Sequence, residues 1–233
     1  MIILSIDSAT PVAGVAIVDK NRVLAESFLN TGNTHSQQLL PLIKHTLDSA
    51  NLKLADIDGI AVSSGPGSFT GLRIGMATAK SIAQVTGLKL IGIPTLDALA
   101  YNLKGYPGVI CPILNARKQE VYCALYEMQG EDLQRISDFW AINPEVLAEK
   151  LLQLEHKTTF LGDGVAEYHQ VLHLLLGEKA GWAPIHNLLP RAASLGFLGL
   201  KKLQEGLSDD IFRLEPFYLR KSEAEVKWEA KNV

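Results

Sequence analysis

An α/β fold in two halves, each a mixed sheet flanked by helices, is predicted by three observations. Three β-type runs open the chain with short turns between them, strand-like and helix-like periodicities then alternate, and the pattern restarts in shorter form near Gly105. The opening runs are Ile2 to Asp7, Val12 to Val18 and Arg22 to Thr31, parted by turns that hold Pro11 and Asp19-Lys20-Asn21. Connections this short join antiparallel neighbours, because a parallel pair needs a long crossover. A helix follows from about Thr34, where Leu39, Leu40, Ile43, Leu47 and Ala50 share one face and Pro41 restrains the first turns.

Next come a strand at Ile57 to Ser63, the turn Gly65-Pro66-Gly67, a helix from about Phe69 to Val85 and a strand at Leu88 to Ile93. Three meandering strands followed by βα crossovers form a mixed sheet with helices on its faces, which by analogy of fold resembles the ribonuclease H-like half of the actin, sugar-kinase and heat-shock-ATPase (ASKHA) superfamily. The echo runs through strands at Val109 to Leu114 and Glu120 to Glu127, another near Phe139, a helix from Pro144 to Leu154 and a strand at Thr159 to Leu161. A helix from Ala192 to Glu205, ended by Gly206, precedes a polar tail from Arg220. The expected organisation is a first subdomain over 1–104 joined by helix 190–206, a smaller second subdomain over 105–189, and a C-terminal segment over 207–233.

With 22 Lys+Arg against 25 Asp+Glu, the chain shows no basic excess for gripping nucleic acid unaided, so any RNA is met beside a partner. No apolar run approaches the roughly 18 residues of a membrane span. The start lacks a basic segment ahead of its apolar residues and reaches Asp7 early, unlike a signal peptide, so a cytoplasmic protein is expected. Cys111 and Cys123 fall on two runs joined by Arg117 to Gln119. A hairpin there makes them diagonal neighbours with Cβ atoms about 7 Å apart, beyond disulfide reach.

The most specific run is Ser63-Ser64-Gly65-Pro66-Gly67-Ser68-Phe69-Thr70-Gly71-Leu72-Arg73. A strand passing through this turn into a helix points free N–H groups at an anion, although no Gly-Lys-Ser/Thr follows to make a Walker A loop. At Asp7-Ser8-Ala9-Thr10, nucleotide-binding ASKHA proteins place an Asp and a Gly/Thr-rich phosphate hairpin, but close backbone approach favours glycine and Ser8 and Ala9 carry side chains. Asp7, Ser8, Thr10, Gly65 and Gly67 are therefore either nucleotide contacts or parts of polar turns. Gly71, Gly75 and Ala79 make a smooth helical stripe beside Leu72 and Met76, and each mid-helix glycine costs about 0.5–1 kcal/mol relative to alanine. Either the chain's own sheet or another chain's helix can use the stripe. Together with the amphipathic helix of His35, Leu39, Ile43 and Leu47, it suits a helical partner interface. His169 and His173 lie at i, i+4, but Gln170 stands where a zinc helix has its Glu, so a polar face is preferred to a metal site. Gly162-Asp163-Gly164 reads as a strand-ending turn or the echo of a second phosphate loop. No catalytic constellation is expected.

Several landmarks together resemble the TsaB (YeaZ) family: Ile3 to Thr10, His35-Ser36-Gln37-Gln38-Leu39-Leu40-Pro41, Gly65 to Gly75, Asn115-Ala116-Arg117, Pro190-Arg191-Ala192 and Glu215-Pro216-Phe217-Tyr218-Leu219-Arg220. The resemblance implies a non-catalytic paralogue of TsaD within the bacterial machinery for threonylcarbamoyladenosine beside the tRNA anticodon. It implies TsaD as a direct partner, TsaE through the TsaB–TsaD complex, tRNA only indirectly, and a homodimer when the chain is alone. No cofactor is required on this reading, with ATP or ADP placed at the partner interface. TsaD-like proteins carry a His-x-x-x-His metal pair after the strand matching Lys89 to Ile93; Thr95 and Leu99 stand there instead. The alternatives are an ASKHA kinase or ATPase, drawing on Asp7 and the glycine-rich turn, and a metallopeptidase of the family's historical glycoprotease label.

Overall fold

The computed structural model describes residues 1–31, 35–220 and 228. The opening meander forms as β1 (Ile2–Asp7), β2 (Ala13–Asp19) and β3 (Val23–Leu29). Its second turn closes because the Asp19 carboxylate accepts the N–H groups of Asn21 at 2.7 Å and Arg22 at 3.0 Å. The helix α1 (His35–Ser49) leads to β4 (Gly59–Gly65), α2 (Phe69–Thr86), β5 (Lys89–Pro94) and α3 (Thr95–Tyr101). β4 and β5 add to β1 in parallel, giving the order β3-β2-β1-β4-β5.

The second half contains β6 (Val109–Arg117), β7 (Glu120–Cys123), β8 (Tyr126–Gln129), β9 (Asp132–Arg135), β10 (Trp140–Ile142), α4 (Pro144–Leu152), β11 (Thr158–Leu161), α5 (Gly164–Leu176) and β12 (Ala180–Trp182). Its sheet runs β10-β7-β6-β11-β12, with β8 paired to β6 and β9 to β8. The expected strand Glu120 to Glu127 is thus two strands. At Ala124-Leu125 the chain leaves β7, and the Leu125 N–H turns to the Ser137 hydroxyl at 2.8 Å. α3, β9 and β12 lie in stretches where no element is expected from the sequence pattern.

Three layers hold the first half together. α1 and α2 cover one face of the sheet, where Leu39, Ile43, Leu47, Met76 and Ala79 meet Leu4, Ile6, Val15, Ile60 and Val62. The opposite face, with Ile3, Val18, Ala61 and Ile91, is covered by α6 (Ala192–Gln204) through Leu195, Leu200 and Leu203. In the second half, α4 and α5 press Leu147, Leu151 and Leu172 onto Cys111, Ile113, Val121 and Phe160. Ile113 pairs with Cys123, so Cys111 is its diagonal neighbour; both thiols are free and buried, and burial pushes the Cys111 thiol well up.

After α6 the chain returns to the first sheet as a strap over 207–220. The Asp209 N–H donates to the Leu90 carbonyl at 2.8 Å, the Gly92 N–H donates to the Asp209 carboxylate at 2.8 Å, and the Phe217 N–H donates to the Ser64 carbonyl at 2.6 Å. The strap therefore ends where β4 turns into α2. The expected polar tail beyond Arg220 lies outside the described residues, Trp228 apart. Among the described residues, no helix is long and apolar enough to cross a membrane.

Candidate functional site

A cleft of about 580 Å³ opens between the two halves. One wall is the β1–β2 turn (Ala9, Thr10, Pro11), His35 at the start of α1, and Gly67, Ser68, Phe69 and Thr70 at the start of α2. The other wall is the end of β6 and its turn (Leu114 to Lys118), with Tyr122, Asp163 and Arg220.

The first wall is built by close backbone contact. Ser68 caps α2, its hydroxyl accepting the Gly71 N–H at 3.3 Å, and its own N–H donates to the Ala9 carbonyl at 2.7 Å. A Cβ at Gly71 would collide with the Ser8 carbonyl and one at Gly75 with the Ser8 hydroxyl, which donates to the Gly71 carbonyl at 2.8 Å. The small-residue stripe is therefore occupied by the β1–β2 turn of the same chain. This corrects the expectation of a partner surface there: Leu39, Ile43, Leu47, Gly71, Leu72, Gly75, Met76 and Ala79 are all buried within the monomer. Of that set only His35 is partly open, and it faces the cleft.

The nucleotide candidates are likewise redistributed. Thr10 and Gly67 line the cleft, whereas Asp7, Ser8 and Gly65 lie behind its wall. A side chain at Gly65 would strike the Phe217 carbonyl, and one at Gly67 the Ala9 carbonyl, so these glycines admit the chain's own backbone. The Asp7 carboxyl accepts the Ala9 N–H at 3.0 Å through one oxygen while the other is buried without a partner. Burial raises its pKa, against the lowering pull of the Ala9 N–H, Ser63 and His35. As a cradle for a magnesium-bound nucleotide, this set does not fit: the carboxylate that would face the metal is shut away.

The second wall carries exposed cations on a strained turn. Arg117, Lys118 and Gln119 take φ values of 60°, 52° and 62°, a left-handed run costing about 1 kcal/mol or more per non-glycine residue. Neighbours hold it in place. The Asn115 side-chain carbonyl accepts the Arg117 N–H at 2.7 Å, and Arg220 donates to the Ala116 carbonyl at 3.0 Å while pairing with Glu120 at 2.8 Å. Beneath the turn, Asp163 accepts the Asn115 N–H at 2.9 Å, and the Asn115 amide donates to Glu167. Burial raises the Asp163 pKa more than the N–H groups of Asn115 and Gly164 lower it. The motif Asn115-Ala116-Arg117 was visible in the sequence, but with no glycine to signal it the left-handed turn was not.

Across the cleft, His35 Nε2 sits 2.8 Å from the Thr10 carbonyl and so carries the proton, leaving Nδ1 buried without a partner. The Phe69 ring stacks on Tyr218 with centroids 4.3 Å apart, and Arg73 donates to the Tyr218 hydroxyl at 3.1 Å, fixing the strap beside the helix start. Thr95 and Leu99 lie one turn apart on α3, each 1% exposed. On the exposed face of α5, the His169 ring stacks on His173 and leans on Trp182, with centroids 6.0 Å and 4.1 Å away. Among the described residues, no group of three or more His, Cys, Asp or Glu is placed to hold a metal ion.

A family model described as TsaD, tRNA N6-adenosine threonylcarbamoyltransferase, matches residues 23–228. The chain is 33% identical over 230 residues to the tRNA threonylcarbamoyladenosine biosynthesis protein TsaB of Bacillus subtilis, covering 98% of each, and 31% identical to TsaB of Escherichia coli, covering 96% of each. It belongs to the TsaB family. The fold agrees: a solved structure described as YeaZ from Pseudomonas aeruginosa superposes with a TM-score of 0.76 at 23% identity, over 94% of this chain and 99% of that one. The two-halved α/β architecture expected from the sequence, with mixed sheets flanked by helices, is thus the fold this chain shares with that structure. In this chain five of the six landmark segments do structural work of a directly visible kind. Ile3 to Thr10 and Gly65 to Gly75 build the first wall, Asn115-Ala116-Arg117 the second, and Arg191 pairs with Glu26 to tie α6 to β3. The strap's Phe217, Tyr218 and Arg220 join the two walls.

Proposed function

We propose that this chain is the non-catalytic scaffold of threonylcarbamoyl transfer to tRNA, binding and ordering TsaD, with TsaE reached through the TsaB–TsaD complex and tRNA met only indirectly. The observation that carries the reading is the pair Thr95 and Leu99. Where TsaD-like proteins carry two metal-binding imidazoles, this chain has a hydroxyl and an aliphatic side chain, both packed into its interior. Neither a Thr nor a Leu there can supply the nitrogen ligands that an iron or zinc Lewis acid needs. On this reading the chain needs no cofactor of its own, and ATP or ADP belongs at the interface with TsaD.

The burial of the small-residue stripe moves the proposed docking surface to the outer faces of the same helices. Leu40 on α1 is 59% exposed and Val85 on α2 is 88% exposed. On the same stripe of α2 as Val85, Ala77 and Ser81 are exposed and Ile74, Thr78 and Ile82 half-buried, a helical face with small residues at its centre that another helix can approach closely. The same face serves a homodimer when TsaD is absent.

Purified chain mixed with TsaD and followed by light scattering tests the reading, together with threonylcarbamoyl transfer measured with and without this subunit. Association and dependence of transfer on the chain are expected, and Ala77→Arg, a change to an exposed position, should abolish both while leaving the thermal midpoint in place. Absence of association under every nucleotide condition overturns the reading. Turnover of ATP by the chain alone, lost in Asp7→Asn, would instead favour the kinase or ATPase alternative.

A further inference from the structure

We infer that a second cavity, beside the β8–β9 hairpin, binds a free α-amino acid, with Asp97 holding its ammonium group and Arg135 its carboxylate. This cavity shares no lining residue with the cleft between the halves, and the inference stands whether or not the chain docks on TsaD.

Three elements besides β8 converge there. Asp97 and Tyr101 stand at i, i+4 on α3 and so share one face, while Leu133 and Arg135, two apart on β9, share one side of that strand. Tyr126 of β8 lies directly across from Arg135 in the hairpin, and Leu198 joins them from α6. The hairpin is pinned in place: Lys201 of α6 pairs with Asp132 at 2.9 Å, and the Gly105 N–H, a few residues past α3, donates to the Met128 sulfur at 3.3 Å. The volume, about 290 Å³, lies at the lower end of small-molecule sites and suits a ligand smaller than a nucleotide.

The state of the two charged groups carries the inference. A carboxylate kept for structure alone is ringed by donors, as Glu26 is: it takes two hydrogen bonds from Arg191 and one from the Ala193 N–H. Asp97 is half-buried yet accepts from one group only, the Tyr126 hydroxyl, at 2.6 Å on Oδ1. Its Oδ2 meets no donor among the described residues, although a carboxylate offers about four acceptor positions. Burial pushes the Asp97 carboxyl up against the lowering pull of Tyr126, Arg135 and Lys202, and a ligand cation at Oδ2 restores the charged form. Burial and the neighbouring Asp97 push the Tyr126 phenol well up, so it stays protonated and keeps donating.

Arg135 is the complementary group. Its guanidinium lies over the Phe139 ring, 3.8 Å from the centroid, which sets its plane and leaves its N–H fork without a carboxylate partner among the described residues. Asp97 feels the charge of Arg135 but does not pair with it, so acid and base line one cavity with a gap between them. Lys202, the other cation near Asp97, is turned to the Gly92 carbonyl at 3.3 Å. A neutral molecule with an ammonium and a carboxylate on one carbon fills the gap with two charge-assisted contacts. A simple anion would instead meet Asp97, and a simple cation Arg135. Tyr101, Leu133 and Leu198 leave an apolar surface for the ligand's own side chain.

Titration of the isotope-labelled chain with leucine, serine and phenylalanine, followed by amide shifts, tests this. At least one of the three should move the amides of 97–101 and 126–135 and leave those of 67–70 in the cleft unmoved. For the amino acid that binds best, the matching amine without the carboxylate and the matching acid without the ammonium should each bind about tenfold more weakly, as expected for losing one charge-assisted contact. Asp97→Asn and Arg135→Gln should each weaken that amino acid about tenfold with an unchanged thermal midpoint, and the analogue series decides the matter without substitutions should Asp97→Asn fail to fold. Four results each overturn the proposal: no shift with any of the three at about 10 mM, shifts centred on the cleft, an amine or acid that binds as tightly as the amino acid, or folded variants that bind like the parent.

Discussion

At the β4–α2 turn the chain reverses direction on glycine, and at the β6–β7 turn it reverses on Arg117, Lys118 and Gln119, all held at positive φ. The two turns face each other across one cleft. In the first, the absence of side chains lets the Ser8 and Ala9 carbonyls come so near Gly71 and Gly67 that the space is filled by the protein itself. In the second, side chains remain at full length and the strain is borne by Arg220 and Asn115. A glycine-rich turn thus marks close approach without saying by what. The chemically open wall is the one without glycine.

This contrast can be broken most sharply at Gly75. Replacement by leucine should destabilise the fold by about 3 kcal/mol or more, because the new side chain meets Ser8 and Val62 in a closed interior. A denaturation midpoint like the parent's would mean that the stripe is open after all. Ser8→Ala comes next in size. It removes the buried hydroxyl that donates to Gly71 at 2.8 Å and should cost about 1–2 kcal/mol by chemical denaturation.

On the second wall, Arg220→Ala should lower global stability by only about 1 kcal/mol, since the guanidinium is partly solvated and its pairing with Glu120 is screened. Its larger signature should be local: faster hydrogen exchange across residues 115–120, with α2 unaffected. Uniform acceleration through both halves would refute the view that Arg220 is a local clamp.

The smallest effect concerns pH. Burial raises the pKa of Asp7 in the native state, so its contribution to stability is full below the ordinary carboxylate range and is lost as pH rises through the raised native value. Asp7→Asn, which cannot ionise, should therefore show a flatter decline in stability than the parent as pH rises above the ordinary carboxylate range. Parallel declines would show that the carboxyl ionises without penalty.

Much of the first half was legible because its signals are local and strong. Ile2 to Asp7 and the run into β4 are continuous apolar stretches fit for strands buried on both faces, and Ser68 followed by an apolar helical period announces α2. The second half was harder to read. β9 and β12 are 4 and 3 residues long, too short for periodicity to emerge, and α3 spans only two turns. The break between β7 and β8 falls at Ala124 and Leu125, both apolar and buried, so hydropathy runs on through it. For the site, the sequence located the glycine turn and the landmark Asn115-Ala116-Arg117. It gave no sign that the stripe of Gly71, Gly75 and Ala79 is filled by Ser8, since that contact joins residues more than sixty positions apart.

The strap has a consequence for how the molecule comes together. Phe217 and Arg220 leave the ribosome after every strand of both sheets, and they lash the first sheet to the hairpin of the second. A nascent polypeptide can thus complete each half while the gap between them is still unset, and the final geometry of that gap is fastened by a late knot.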